Sequence, residues 1–328
     1  MAQLEGTRQQ IQAWHERSCS ALSMALWGEV GKVRLKMFCS TAHIDLFFSP
    51  GRIVSTRDGD VHAQMHTFAD RLERARERFL QVTGLSAADF PVQTRRTASR
   101  GLLASDTGQG SPRARVFVLE DEVEFRRVSA GVTGIAHQGL GVKRLGGQMV
   151  YVVRHDPKHL RRDRDLHRNL VHNLVHLLLS NVEPSGWLGQ ERGGWIDAGL
   201  AHYFESDLVD GTCVNFCFLE RAQPPVSFRN GDWRKAARDL SVEGRLPSIG
   251  DLVGQDTSSL DFAEHVASFA LVAYLIEGRG QDGPRIADLI RAMKRGAAGD
   301  EACSTVYGLD LEALENRLGA WLQSKEVR

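Results

Sequence analysis

The chain has 328 residues, 42% of them hydrophobic, and its 41 Lys+Arg balance 41 Asp+Glu to leave no formal net charge. That is enough apolar material for a core in one large domain or two lobes. The zero balance argues against strong non-specific attraction to nucleic acid or to an anionic membrane surface.

Five cysteines (Cys19, Cys39, Cys213, Cys217 and Cys303) are few, odd in number and scattered. They favour reduced thiols in an intracellular protein, expected in the cytoplasm, over a disulfide framework. Cys213 and Cys217 have the spacing of one helix face, but no second pair completes a metal set, so packing is the expected role. Residues 19–27 are mildly apolar but short, and Glu29 follows, which does not fit a signal peptide. No segment reaches the ~20 apolar residues of a membrane span.

In chain order, residues 4–27 carry an apolar stripe through Ile11, Trp14, Leu22 and Leu26 and are predicted helical. VRLKMFC and HIDLFFS read as extended, ended by Pro50-Gly51. From 66 to 82, Phe68, Leu72, Ala75, Phe79 and Val82 mark a helix with a charged outer face, and Gly84 is placed to close it. Residues 91–114, rich in Arg, Ser, Thr and Gly, read as a loop. ARVFVLE (114–120) reads as a strand, 122–128 as helical, and GVTGIAHQGLGV as a Gly-rich loop without the context of a phosphate-binding turn. GGQMVYVVR (146–154) reads as a strong strand.

KHLRRDRDLHR (158–168) then leads into a helix that is nearly all apolar from 170 to 179 except for His172, Asn173 and His176. A helix apolar all round is buried, and its polar residues then need partners. The basic cluster of Arg161, Arg162, Arg164 and Arg168 is expected to be the solvated approach to that helix rather than a nucleic-acid surface. WIDAGLAHYFESDLV is the next helix. Residues 210–258 are less regular, with short helical pieces at 233–240 and 247–253. Helices follow at 260–278 and after Pro284, and a last one is capped by Asp310.

His172 and His176 are four apart, so both imidazoles lie on one helix face, the spacing with which a helix offers two ligands to one zinc ion. A hydrolytic site needs a third protein ligand and a general base beside the bound water. HNLVHLLLSN resembles the HExxH helix of the gluzincin (peptidase MA-like) metallopeptidases, and WIDAGLAHYFE resembles that family's second motif, W-[LI]-x-E-G-x-A-x-Y-x-E. The resemblance spans residues of about 40–325 and is specific only in the two motifs. It implies a zincin-like α+β fold, with GGQMVYVVR as the edge strand that pairs with extended substrate.

The departures fall on the chemistry. The general-base Glu corresponds to Asn173, which cannot take and return a proton near neutral pH. The third-ligand Glu corresponds to Ala198, which binds nothing. Trp195, Gly199, Ala201 and Tyr203 keep the frame. His202, one turn beyond Ala198, is the residue expected to complete a three-His set with His172 and His176 if any metal binds.

The expectation is therefore a catalytically degenerate gluzincin-like protein, a pseudopeptidase with no catalytic residue of its own. It is expected to bind no cofactor or only weakly held zinc, and to take a peptide or protein partner, not a membrane or nucleic acid, along a cleft lined by Trp195, Asp197, Tyr203 and Glu205. The alternative is a metal-dependent hydrolase built on His172, His176 and His202. The expected organisation is a helical extension over 1–34, an α+β lobe over 35–181 with a mixed sheet packed on helices including the HNLVH helix, and a mainly helical lobe over 182–328.

Overall fold

A computed structural model of the chain describes residues 37–51, 53, 61–91, 113–146, 149–156, 158–215, 228–278 and 285–324. The helix expected at 4–27, most of the loop at 91–114, Cys19, Cys217 and Pro284 lie outside the described residues.

The class is α+β, with five strands and ten helices among the described residues. The strands are β1 (Phe38–Ser40), β2 (Ile44–Ser49), β3 (Ala114–Leu119), β4 (Gly141–Arg144) and β5 (Val150–Arg154). The helices are α1 (Val61–Thr83), α2 (Glu122–Thr133), α3 (Asp163–Ser180), α4 (Gly194–Leu208), α5 (Trp233–Val242), α6 (Ile249–Leu252), α7 (Phe262–Glu277), α8 (Ile286–Lys294), α9 (Gly299–Tyr307) and α10 (Leu311–Gln323).

The chain divides into two compact units, Met1–Arg74 with Val92–His167, and Ala75–Pro91 with Arg168–Arg328. The lobe boundary expected from the sequence was 181/182; the division instead cuts α1 at 74/75 and α3 at 167/168. Its consequence is that both histidines of the HNLVH helix belong with the helical second unit.

The first unit is built on the sheet, in the order β1-β2-β3-β5-β4. β2, β3 and β5 run parallel, and the two outer strands are antiparallel to their neighbours. Alternation sets the two faces. Phe47, Phe117, Leu119, Val150 and Val152 pack with Phe125, Val128 and Val132 of α2 on one side, where Phe47 stacks on Phe117 at 4.2 Å. Phe48 packs on Phe68 of α1 from the other side. Asp121 caps α2 by accepting from the Glu124 N–H, and Gly134 closes it at φ 80°.

β5, expected from the sequence to be the edge strand, is internal: it pairs with β3 on one side and β4 on the other. The edge is β4, GVKR, which the sequence presents as part of a Gly-rich loop. Its residues are exposed or half-buried, so it carries no apolar alternation to mark it, as suits a short edge strand.

The second unit is helical. α4 is buried on every side from Gly194 to Ser206, so its sequence shows no polar stripe. α7 packs against it so closely that a Cβ on Gly199 would meet the Ser268 carbonyl oxygen at 2.5 Å. Asp261 starts α7 with a reciprocal capping box to Glu264. Phe79, on the final turns of α1, packs on Phe204 of α4.

Candidate metal centre

The histidines of α3 face α4 in the middle of the second unit. His172 and His176 are each 1% exposed, and their Nε2 atoms stand 3.3 Å apart. Ligands at about 2.0–2.1 Å from a tetrahedral zinc lie roughly 3.3 Å from one another, so this pair has the spacing of two zinc ligands.

Each ring is held from behind by a buried carboxylate of α4. Asp197 Oδ1 is 2.8 Å from His176 Nδ1, and Glu205 Oε2 is 3.1 Å from His172 Nδ1. Buried carboxylates that fix the ring and tautomer of a histidine are the usual support of a metal-binding imidazole.

The carboxylates are themselves anchored. Asp197 Oδ2 accepts from Trp187 Nε1 at 2.9 Å and from Thr257 Oγ1 at 2.8 Å. The turn carrying Trp187 can approach because position 189 is glycine: a Cβ there would lie 2.6 Å from Asp197 Oδ2 and 2.0 Å from Thr257 Oγ1. Glu205 Oε1 accepts from the backbone N–H groups of Val214 and Asn215 and from Asn215 Nδ2, at 2.7, 3.3 and 2.9 Å.

Burial alone would push the Glu205 carboxyl up, but His172 and His202 beside it outweigh that and hold it below its ordinary range. It is a buried anion. Burial pushes the His202 imidazole well below its usual range despite Glu205. Burial, reinforced by His172 and His176, pushes His265 down to about 3. Both rings are neutral at physiological pH.

Asn173, which the family resemblance sets at the general-base position, donates its amide Nδ2 back to the Asn169 carbonyl one turn earlier, at 2.7 Å. Asn169 Nδ2 in turn donates to Asn215 Oδ1 at 3.2 Å. Ala198, which the family resemblance sets at the third-ligand position, is 1% exposed.

The three-His set expected from the sequence does not converge. Among the described residues, the donors that come together are those of His172, His202 and Glu205, one atom from each lying within 4.8 Å of the others. His202 is turned away from the Nε2 pair: its Nε2 lies 3.0 Å from His265 Nδ1, and its Nδ1 faces Glu205 Oε2 at 3.9 Å. The reason is packing, since His202 lies against Trp233 with ring centroids 4.3 Å apart.

Trp195, Asp197, Tyr203 and Glu205, expected along a cleft, are all buried. Asp197 and Glu205 hold the histidines instead. Cys213 is buried and donates its thiol to the His202 carbonyl, which is the packing role expected of it.

The sequence reading did not single out His265, Thr257, Trp187 or Asn215. Only His265 left a signal, as a lone histidine in the apolar run of α7. The others act through loops whose positions the tertiary fold decides. No helix among the described residues is long and apolar enough to cross a membrane. No family model matches this chain, and no curated protein matches it.

Proposed function

We propose that this is a gluzincin-like protein whose peptidase centre has lost hydrolysis, a pseudopeptidase that uses the former substrate-binding region to hold a peptide or protein partner. The observation that carries the reading is the contrast inside one buried cluster. The histidine pair has zinc-ligand spacing and a buried carboxylate behind each ring, while Asn173 and Ala198 stand where the base and third ligand would be.

The family's zinc does not fit this donor set. Two imidazoles are one protein ligand short of a catalytic zinc site, and Ala198 offers no atom to coordinate. An asparagine whose amide is spent on a backbone carbonyl cannot serve as base. A mixed sheet with an antiparallel edge strand, followed by the histidine helix, is also what a zincin-like fold requires.

The test is cleavage and binding with the purified protein and a mixed peptide library, with and without added zinc. The expected result is retention of a subset of peptides and no zinc-dependent cleavage. Zinc-dependent cleavage abolished by His172→Ala would overturn the reading. A constructive version installs both carboxylates: Asn173→Glu with Ala198→Glu is expected to add a zinc equivalent, beyond any held by the unmutated protein, that is lost again on His176→Ala. If the double variant gains no His176-dependent zinc, the alignment of the two motifs is wrong.

A further inference from the structure

We infer that the second unit holds a metal site displaced from the family position, formed by His172 Nδ1, His202 Nδ1 and Glu205 Oε2, and suited to a divalent first-row ion such as zinc. The site lies one to two helical turns further along α4 than Ala198 and does not use His176 as a ligand. It shares one residue with the old pair, His172, but takes that ring's opposite nitrogen.

Three observations meet here. First, the donors converge: both imidazole Nδ1 atoms face the same carboxylate oxygen, at 3.1 and 3.9 Å, and one atom of each residue lies within 4.8 Å of the other two. Zinc ligands sit about 3.3 Å apart, so a small inward turn of His202 closes the set. All three residues are 0–1% exposed.

Second, the far atom of every donor is held by another group. Glu205 Oε1 takes three N–H donors, from Val214 and Asn215. His202 Nε2 meets His265 Nδ1, and His172 Nε2 meets His176 Nε2. That leaves Oε2 and the two Nδ1 atoms facing one another, and such outer partners are what orient metal ligands.

Third, the protons balance. With His172 and His202 ligating through Nδ1, each carries its proton on Nε2. His172 then donates to His176 Nε2, His176 donates from Nδ1 to Asp197, and His202 donates to His265 Nδ1. Each contact in the chain of four histidines then has one donor and one acceptor.

Ligand count separates this site from the family position. A metal at the Nε2 pair has two protein ligands, whereas the displaced position has three, as an N₂O set of two histidines and a carboxylate. Such a set suits zinc or ferrous iron rather than calcium or magnesium. Placing no general base beside the ion, it is compatible with absent hydrolysis and is decided separately from it.

The experiment is zinc content and imidazole nitrogen NMR on full-length protein expressed with zinc supplementation. About one equivalent of zinc is expected, with His172 coordinated through Nδ1. His202→Phe, which keeps an aromatic ring against Trp233, and Glu205→Gln are each expected to abolish stoichiometric zinc. His176→Gln is expected to cost about 10–100-fold in affinity and to leave the site in place. Circular dichroism and thermal melting accompany each variant. The NMR assignment on the unmutated chain decides the matter even if a variant fails to fold. Coordination through His172 Nε2, zinc retained by folded His202→Phe, or less than about a tenth of an equivalent in the unmutated protein would each overturn the proposal.

Discussion

Two carboxylates on one helix set what the buried histidines can do. Asp197 and Glu205 are eight residues apart on α4, each behind one histidine of α3. Asp197 serves three donors at once, on His176, Trp187 and Thr257. Removing a buried acceptor leaves its donors to bear the desolvation cost. Asp197→Ala is therefore expected to destabilise the protein by about 3 kcal/mol, and Asp197→Asn by less, since it keeps one acceptor oxygen. Urea unfolding of the two variants measures this, and equal effects would mean that the carboxylate charge and its second oxygen do not matter. At this scale the sequence was partly legible. The spacing of His172 and His176 marks them as a pair, and the resemblance of the stretch around Ala198 to a gluzincin motif raises the expectation of a missing ligand. It does not show that His202 turns to Glu205 and His265, because that orientation depends on Trp233 and α7.

The elements that position the cluster follow from local rules, and their closeness from a few small residues. α3 and α4 are legible because long apolar runs can only be buried helices. Gly199 is legible as part of a motif, but its physical task appears only in the crossing with α7, where a Cβ would press on the Ser268 carbonyl at 2.5 Å and on Val272 at 2.7 Å. Backbone cannot yield as a flexible side chain can. Gly199→Ala is expected to cost about 2 kcal/mol through overpacking, read by thermal or chemical unfolding. A neutral result would show that the two helices can separate at no cost. Two elements carry little local signal of their own. β4 is short, polar and exposed, so its pairing with β5 comes from the sheet rather than from its own pattern. α9 (GDEACSTVY) begins on a glycine without a side-chain cap, so it lacks the usual start signal.

On the scale of the whole chain, two half-buried ionisable groups give stability a pH dependence. Lys294 donates to the carbonyls of Ser180 and Gly186 at 3.1 and 2.6 Å, and burial lowers its amine to about 8 from 10.5. Below pH 8 the amine is charged in both folded and unfolded chains. Between about 8 and 10.5 the unfolded chain holds the proton that the folded one has released, so stability rises with pH. Unfolding free energies are expected to move in favour of the native protein over Lys294→Met across that window, and a flat difference would contradict the burial. Asp89 behaves in the opposite range. The hydrogen bond from Arg291, at 2.7 Å, holds its carboxyl at about 2 against an ordinary 3.8. Its contribution is present above pH 3.8 and is lost as pH falls through 2. The stability gap between the native protein and Arg291→Ala is therefore expected to close over that interval in acid unfolding.

The sequence by itself determined the α+β class, most of the strands and long helices, and the two motifs that place histidines, Asn173 and Ala198 on neighbouring helices. Those properties reside in periodicity and residue type, which a linear chain displays directly. The tertiary structure decided the division inside α3, the internal position of β5, and the partners of each histidine. A side chain's hydrogen bonds depend on groups brought from distant segments, such as Thr257 to Asp197 and His265 to His202, and no local pattern records which of two ring nitrogens such a group will face.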